Sequence, residues 1–185
     1  YIYKADDNSL LYAKSSSEVN CSSSSSTTCS FTESSLSDSS TYSRYVTAYN
    51  SYGLGKPSSS LTKGTLPSSP NSLVITSHDY TTDQNKGYYL SLSWNSGGSE
   101  SGYKIYEGGD KDTGSLVSTI SSSSITSAEI TSLEGSKTYS FYVYSTNASG
   151  DLSPLYVSGQ GHTPPVSISN LSYSSSLETN NTTTP

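Results

Sequence analysis

Residues 36–53 read LSDSSTYSRYVTAYNSYG, and residues 133–150 read LEGSKTYSFYVYSTNASG. Leu36, Thr41, Tyr42, Tyr45, Val46, Asn50 and Gly53 recur as Leu133, Thr138, Tyr139, Tyr142, Val143, Asn147 and Gly150, at one constant offset. A repeat on the scale of one small domain means an array of like units rather than a single globular body. The chain therefore reads as a segment of a rod, with a mechanical role.

Only 30% of residues are hydrophobic, a level that by itself points to disorder. Two other properties argue for a folded chain. Charged residues make up 13%, and the chain carries 17 Tyr. Tyrosine supplies buried area with a polar tip and favours strands. A thin core of Tyr, Ile, Val and Leu between two sheets fits this composition. No stretch keeps a 3.6-residue apolar period, which disfavours helices. The net charge of −6 and the lack of any Lys/Arg stripe argue against nucleic acid as a partner. No apolar run approaches the ~20 residues that span a bilayer. With no signal peptide and no Met, the sequence is expected to be part of something longer.

Period-two alternation recurs along the chain. Leu90, Leu92 and Trp94 share one phase in 87–95, Tyr103 and Ile105 in 102–109, and Tyr139, Phe141 and Val143 in 138–147. Turn signals separate these runs at 83–87, 96–98 and 108–112. Short strands at this spacing predict an antiparallel β-sandwich. The order of features is a Pro-rich lead-in, an alternating strand ending in Trp94 and a Tyr-Lys-Ile-Tyr strand. Leu133, Tyr139, Phe141, Val143, Asn147, Gly150 and a Ser-Pro pair follow. This order resembles a fibronectin type III domain. The resemblance implies tandem all-β, immunoglobulin-like sandwiches. In them Trp94 is the core Trp, Tyr139 a tyrosine corner bonded to upstream backbone, and Leu133 the residue that opens the corner. It covers 66–163 as a complete module.

Residues 1–65 resemble the latter part of another such module, with Ile2-Tyr3 matching Ile105-Tyr106, and Leu36 and Tyr42 marking its corner. The first two strands, and the Trp, have no counterpart there. After Thr163-Pro164-Pro165, which echoes Thr65-Leu66-Pro67, residues 166–173 resemble a first strand. The segment 164–185 thus begins a following module, or is a strand donated to a neighbouring chain, which would assemble subunits head to tail. Pro in the joints 64–70 and 161–165 is expected to limit hinge freedom. Arg44 takes the inward phase that Phe141 holds in the second module, so its guanidinium must find a partner or reach solvent.

Cys21 and Cys29 flank a Ser/Thr run. Their spacing suits no metal site, and they are expected to form a disulfide worth roughly 2–3 kcal/mol, which implies an oxidising compartment. N-glycosylation sequons at Asn20, Asn147, Asn170, Asn180 and Asn181 agree with an extracellular or cell-surface location. Asn147, at the end of its strand, is expected to reach solvent.

No catalytic constellation, metal site or cofactor is expected. His78 and His162 lack a nucleophile-elbow pattern around any Ser. Asp110-Lys111-Asp112 reads as a solvated hairpin turn rather than a calcium loop. The opposite phase from the core places Tyr45, Tyr49, Tyr142 and Tyr144 outward, as a possible surface for assembly or ligands. The expected function is structural: a glycosylated extracellular fibre, appendage or stalk that contacts itself or adjacent modules. Alternatives are an adhesion or receptor ectodomain binding a protein or glycan, and spacer modules of a secreted carbohydrate-active enzyme.

Overall fold

In a strand, successive side chains point to opposite faces, so each alternating run must lie with one face against a partner layer. A computed structural model describes residues 1–21, 28–79, 83, 85–168 and 172. The sequons at Asn170, Asn180 and Asn181 lie outside the described residues, as do 169–171 and 173 of the strand expected at 166–173.

The N-terminal part contains β1 (Ile2–Lys4), β2 (Leu10–Tyr12), β3 (Asn20–Cys21), β4 (Cys29–Ser30), β5 (Thr41–Val46), β6 (Tyr49–Asn50), β7 (Gly53–Leu54) and β8 (Leu61–Gly64). The remainder contains β9 (Asn71–Ser77), β10 (Tyr88–Asn95), β11 (Gly102–Glu107), β12 (Ser115–Ile120), β13 (Ser127–Leu133), β14 (Thr138–Thr146) and β15 (Val157–His162). Every paired strand is antiparallel, and the described residues form no helix.

In the second half, a three-stranded sheet in the order β13-β10-β9 faces a four-stranded sheet in the order β12-β11-β14-β15. Leu90, Leu92, Trp94 and Ile130 on one sheet meet Tyr103, Ile105, Phe141 and Val143 on the other. Burying each of these side chains contributes roughly 1.5–3 kcal/mol. The Trp94 and Tyr103 rings meet edge to face, with centroids 5.1 Å apart. The Tyr103 hydroxyl donates to Glu100 at 2.6 Å. Burial, and then the Glu100 carboxylate, pushes its pKa up to about 12. Where β15 crosses β9, a Cβ on Gly161 would overlap Ile75 and Leu90, so glycine there lets the two sheets close.

The first half repeats only the larger sheet, in the order β2-β1-β5-β8. The register is the same in both. Ile2 faces Val46 and Tyr3 faces Tyr45, as Ile105 faces Val143 and Tyr106 faces Tyr142. Among the described residues no second sheet faces its inner side, which the segment carrying Phe31 and Glu33 covers in part. Val46 is 51% exposed where its counterpart Val143 is buried. A groove of about 870 Å³ runs along that face, lined by Ile2, Phe31, Arg44 and Val46 among others.

Both tyrosine corners form. The Glu134 N–H donates to the Tyr139 hydroxyl at 2.9 Å, and the Ser37 N–H donates to the Tyr42 hydroxyl at 2.8 Å. Leu36 and Leu133, which open the two corners, are half-buried. Tyr139→Phe keeps the ring and strands the Glu134 N–H, so it is expected to cost about 1–2 kcal/mol. Trp94→Ala is expected to cost about 3–5 kcal/mol. Urea unfolding of the two variants against wild type measures both; a Tyr139→Phe midpoint equal to wild type removes the corner as a source of stability.

Candidate functional site

Two joints of the chain are each built on a threonine, Thr65 between the two halves and Thr163 after the second. The Thr65 Oγ1 donates to Ser37 O at 2.7 Å and accepts from Ser40 N at 2.9 Å. The Thr163 Oγ1 donates to Glu134 O at 2.6 Å and accepts from Lys137 N at 3.0 Å. The residue after each threonine repeats as well. Ser39 N donates to Leu66 O, and Ser136 N donates to Pro164 O. Both serines sit at positive φ, 47° and 57°. Ser37 and Glu134 are the same residues whose N–H groups meet the corner tyrosines. One turn residue in each module is thus held on its N–H by a tyrosine near the start of β5 or β14 and on its C=O by the threonine that starts the linker.

Asn147 closes the joint from the other side. Its Oδ1 accepts from Ser149 N at 3.0 Å and Asp151 N at 2.9 Å. Its Nδ2 donates to Asp151 Oδ2 at 3.0 Å and to Thr65 O at 3.2 Å. The side chain is 7% exposed. The expectation that Asn147 reaches solvent is therefore corrected. Every hydrogen-bonding position of its carboxamide is used, and a glycan on Nδ2 would displace one of those donors. A chain of polar contacts runs alongside, from Ser99 Oγ to Ser68 Oγ at 2.9 Å and from Ser68 Oγ to Asp38 Oδ2. A Cβ on Gly97 would overlap the Ser68 and Ser69 backbone, so glycine permits the linker to press on this loop.

The outer faces of the two larger sheets carry the tyrosines expected to point outward. In the first, Tyr3 and Tyr45 stack at 5.1 Å with planes 7° apart; Tyr49 lies instead in the separate β6–β7 hairpin, stacks on Tyr1 at 4.4 Å and lines the same groove as Ile2 and Val46. In the second, Tyr156 packs on Tyr142 and on Tyr144 with centroids 5.2 Å apart in each case, and Tyr106 meets Tyr144 at 5.7 Å. Tyr45 and Tyr142 are half-buried and Tyr49 is exposed. Tyr144 departs from expectation: it lies on the outer phase but is 2% exposed. The rings of Tyr106 and Tyr156 cover it, and its hydroxyl reaches the Lys111 N–H at 3.5 Å. Desolvation in this position raises the Tyr144 pKa.

Arg44 finds its partner in Glu33. Nε and Nη2 reach the two carboxylate oxygens at 3.0 and 2.9 Å, a bidentate pair that leaves both side chains largely buried. Cys21 and Cys29 stand directly opposite one another across β3 and β4, and no described cysteine is free. Asn20 is exposed beside them. Asp110 Oδ1 accepts from Asp112 N, Thr113 N and Thr113 Oγ1, which uses it as a turn cap. The described residues contain no group of three or more metal-ligating side chains and no helix long and apolar enough to cross a membrane. His78 Nε2 pairs with Ser91 Oγ, and His162 Nδ1 with Thr138 Oγ1.

Sequence reasoning matched the Thr-Leu-Pro and Thr-Pro-Pro segments as a restarting pattern and missed the threonine hydroxyls as clamps. The signal was weak, since the two threonines lie 28 and 29 residues beyond the turn residues they hold.

No protein-family model matches the chain, and no curated protein matches it. Solved structures do resemble it. A two-domain fibronectin type III segment from chicken tenascin aligns at 18% identity and TM-score 0.46, over 66% of this chain and 65% of that one. The FN1–FN3 domains of chicken CNTN1 align at 19% identity and TM-score 0.44, over 72% of this chain and 44% of theirs. The spore cortex lytic enzyme SleM of Clostridium perfringens aligns at 17% identity and TM-score 0.36, over 51% of this chain and 27% of that one. The chain's own strand order, Trp core and tyrosine corners make its fold that of fibronectin type III-like β-sandwiches.

Arg44→Ala leaves Glu33 unpaired in a largely buried site and is expected to destabilise the first sheet by about 1–2 kcal/mol, since partial exposure screens the pair. Arg44→Phe with Glu33→Gln is expected to cost less. Amide exchange of β5 and β8 reads both, and equal protection in Arg44→Ala and wild type would show that the pair carries no stability.

Proposed function

We propose that this chain is a structural component of an extracellular, glycosylated fibre, appendage or stalk built from tandem β-sandwich modules. The observation that carries this reading is the duplicated corner and clamp. The same threonine fixes the start of the linker at Thr65 and at Thr163, so successive modules leave their predecessors in one direction. A constant exit geometry is what a rod of regular pitch needs, whereas a flexible tether needs none. We read 1–65 as a module represented by its larger sheet, 66–163 as a complete module and 164–185 as the start of a further one.

The surface chemistry suits this role outside the cell. Directly opposed residues of an antiparallel pair have Cα atoms about 4.5–5.5 Å apart, within the span a disulfide bridges. A Cys21–Cys29 bond would staple the β3–β4 hairpin. Asn20 is the exposed sequon among the described residues and is the proposed glycan acceptor. Asn147 stays bare because the joint occupies it. The tyrosine-rich outer faces at Tyr45 and Tyr142 are the proposed lateral contacts, either with other copies or with adjacent modules.

Electron microscopy of the native material tests the reading: regular filaments or stalks are expected, and discrete monomeric particles would overturn it. Intact-mass analysis supplies a second check. The unreduced chain is expected to be lighter by two hydrogens than the reduced one, and peptide mapping is expected to place a glycan at Asn20 and none at Asn147. A glycan found at Asn147 in the folded native protein would sink the proposed role of that side chain.

A further inference from the structure

Three of the four sheet edges in the complete module are covered or blunted, and β12 is the exception. β9 and β15 lie against each other, where the Ser77 hydroxyl donates to His162 O and glycine at 161 lets Ile75 approach. β13 carries Glu129, ion-paired with Lys86, and Ser132 near its end has a φ of 61°. A charge on an edge and a break in its extended backbone both oppose the addition of another strand. β12 has neither a charge nor a proline in its six residues, and among the described residues only β11 pairs with it. Residues 113–128 carry no charged side chain at all. Within that run Leu116, Val117 and Ile125 are exposed. The corresponding edge of the first module, β2, is three residues long. It is flanked by the ion pairs of Lys4 with Asp6 and Asp7 and of Lys14 with Glu18.

The backbone of β12 decides which of its groups are available. A Cβ on Gly102 would overlap the Ile120 carbonyl oxygen, so that carbonyl is directed at β11. Hydrogen-bonding groups of successive strand residues point to opposite sides, so the N–H and C=O of Thr119 point away from β11. Thr119 stands opposite Lys104, and its side chain is exposed on the outer face. Val117 is the extra residue of a bulge, since Leu116 faces Tyr106 and Ser118 faces Ile105. Thr119 is therefore the centre of the regular run 118–120. A two-fold axis through Thr119 sets this residue opposite its own copy as a hydrogen-bonded pair. It also sets Ser118 opposite Ile120, so inner faces meet inner faces and the pleat is kept. Threonine opposite threonine is a favourable cross-strand pair. The chain has a net charge of −6, and two copies repel least where they meet on an uncharged flank.

We propose that a second copy of this chain adds to the first along β12, antiparallel, with the Thr119 N–H of each copy donating to Thr119 O of the other. The contact is isologous, so it closes as a dimer rather than extending a filament. It joins the β12-β11-β14-β15 sheets of two copies side by side, with their tyrosine-rich outer faces on the same side. The inference goes beyond the fibre reading, which concerns how modules follow one another along a rod; this contact pairs two rods along their flanks.

Sedimentation of the full chain over a concentration series tests it, with Thr119→Lys and Thr119→Glu as variants. The Thr119 side chain is exposed, so both variants are expected to fold, which the near-ultraviolet circular dichroism of Trp94 checks. Wild type is expected to pass from monomer to dimer, with hydrogen exchange at the Thr119 N–H slowing as the dimer forms. Each variant alone sets like charges opposite one another across the axis and is expected to weaken the dimer at least about tenfold, or 1.4 kcal/mol. An equal mixture of the two sets Lys opposite Glu and is expected to restore association. The inference is overturned by a wild type that stays monomeric up to about 1 mM, by a Thr119→Lys chain that dimerises as wild type does, or by a mixture that associates no better than either variant alone. Filaments in the native material alongside any of these results would leave the fibre role standing and remove only this pairing.

Discussion

A single turn residue in each module, Ser37 in the first and Glu134 in the second, fixes how everything beyond it is placed. A backbone N–H and C=O inside a turn have no ladder partners and must be satisfied by something else. Here both are satisfied by side-chain hydroxyls from opposite directions. The tyrosine on the N–H stands near the start of β5 or β14, and the threonine on the C=O stands just past the last strand of the module. The linker is thereby registered to the core through two hydrogen bonds and one residue. Each bond contributes only about 0.5–1.5 kcal/mol, but the pair determines a direction, which neither alone could do. The left-handed serines at 39 and 136 follow from the same constraint, since the chain must turn sharply to bring both groups within reach.

Tyrosine also explains how so polar a chain keeps a core. Its aliphatic complement is small, and the buried cluster of the second module is filled out by Trp94, Tyr103 and Phe141, with Tyr139 packed against it. A tyrosine ring buries an area comparable to phenylalanine while its hydroxyl can end at the edge of the layer, where Tyr103 meets Glu100 and Tyr139 meets Glu134 N. The same residue type then covers the outer face of the sheet, where Tyr142, Tyr144 and Tyr156 pack ring against ring. The four-stranded sheet is in effect buried on both sides over its central strand. Residues of β14 from Val143 to Thr146 are accordingly all buried, an unbroken run that alternation alone would not produce.

Alternation was legible in the sequence because it is a local property. It identified the phases of Leu90, Leu92 and Trp94, of Tyr103 and Ile105, and of Tyr139, Phe141 and Val143, and the internal repeat located both corners. Phase states which face a side chain takes and is silent about what lies over that face. Tyr144 was therefore read as outward although Tyr106 and Tyr156 cover it, and Val46, the repeat counterpart of the buried Val143, is half exposed where no second sheet of described residues faces it. The Arg44–Glu33 pair posed the same difficulty. Arginine on an inward phase demands a partner, but the partner arrives from a segment with no strand signal. The threonine clamps went unread for a different reason. A hydroxyl in a Ser/Thr-rich chain has no distinctive chemistry until a particular carbonyl is brought to it.

Asn147 shows how one local requirement can supply a longer-range contact. A tight turn closed by a positive-φ glycine favours a side chain that can accept backbone N–H groups two residues on, and Asn, Asp and Ser all qualify. Only Asn brings, on the same planar group, two further donors that the turn does not consume. In the second module those donors meet Asp151 and Thr65 O, and the turn becomes part of the joint. Aspartate would preserve the turn and place a negative charge against the carbonyl it needs to hold, while serine would be too short to span the gap. Asparagine at 147 is thus explained more fully by the joint than by the turn, because the turn alone would accept any of the three.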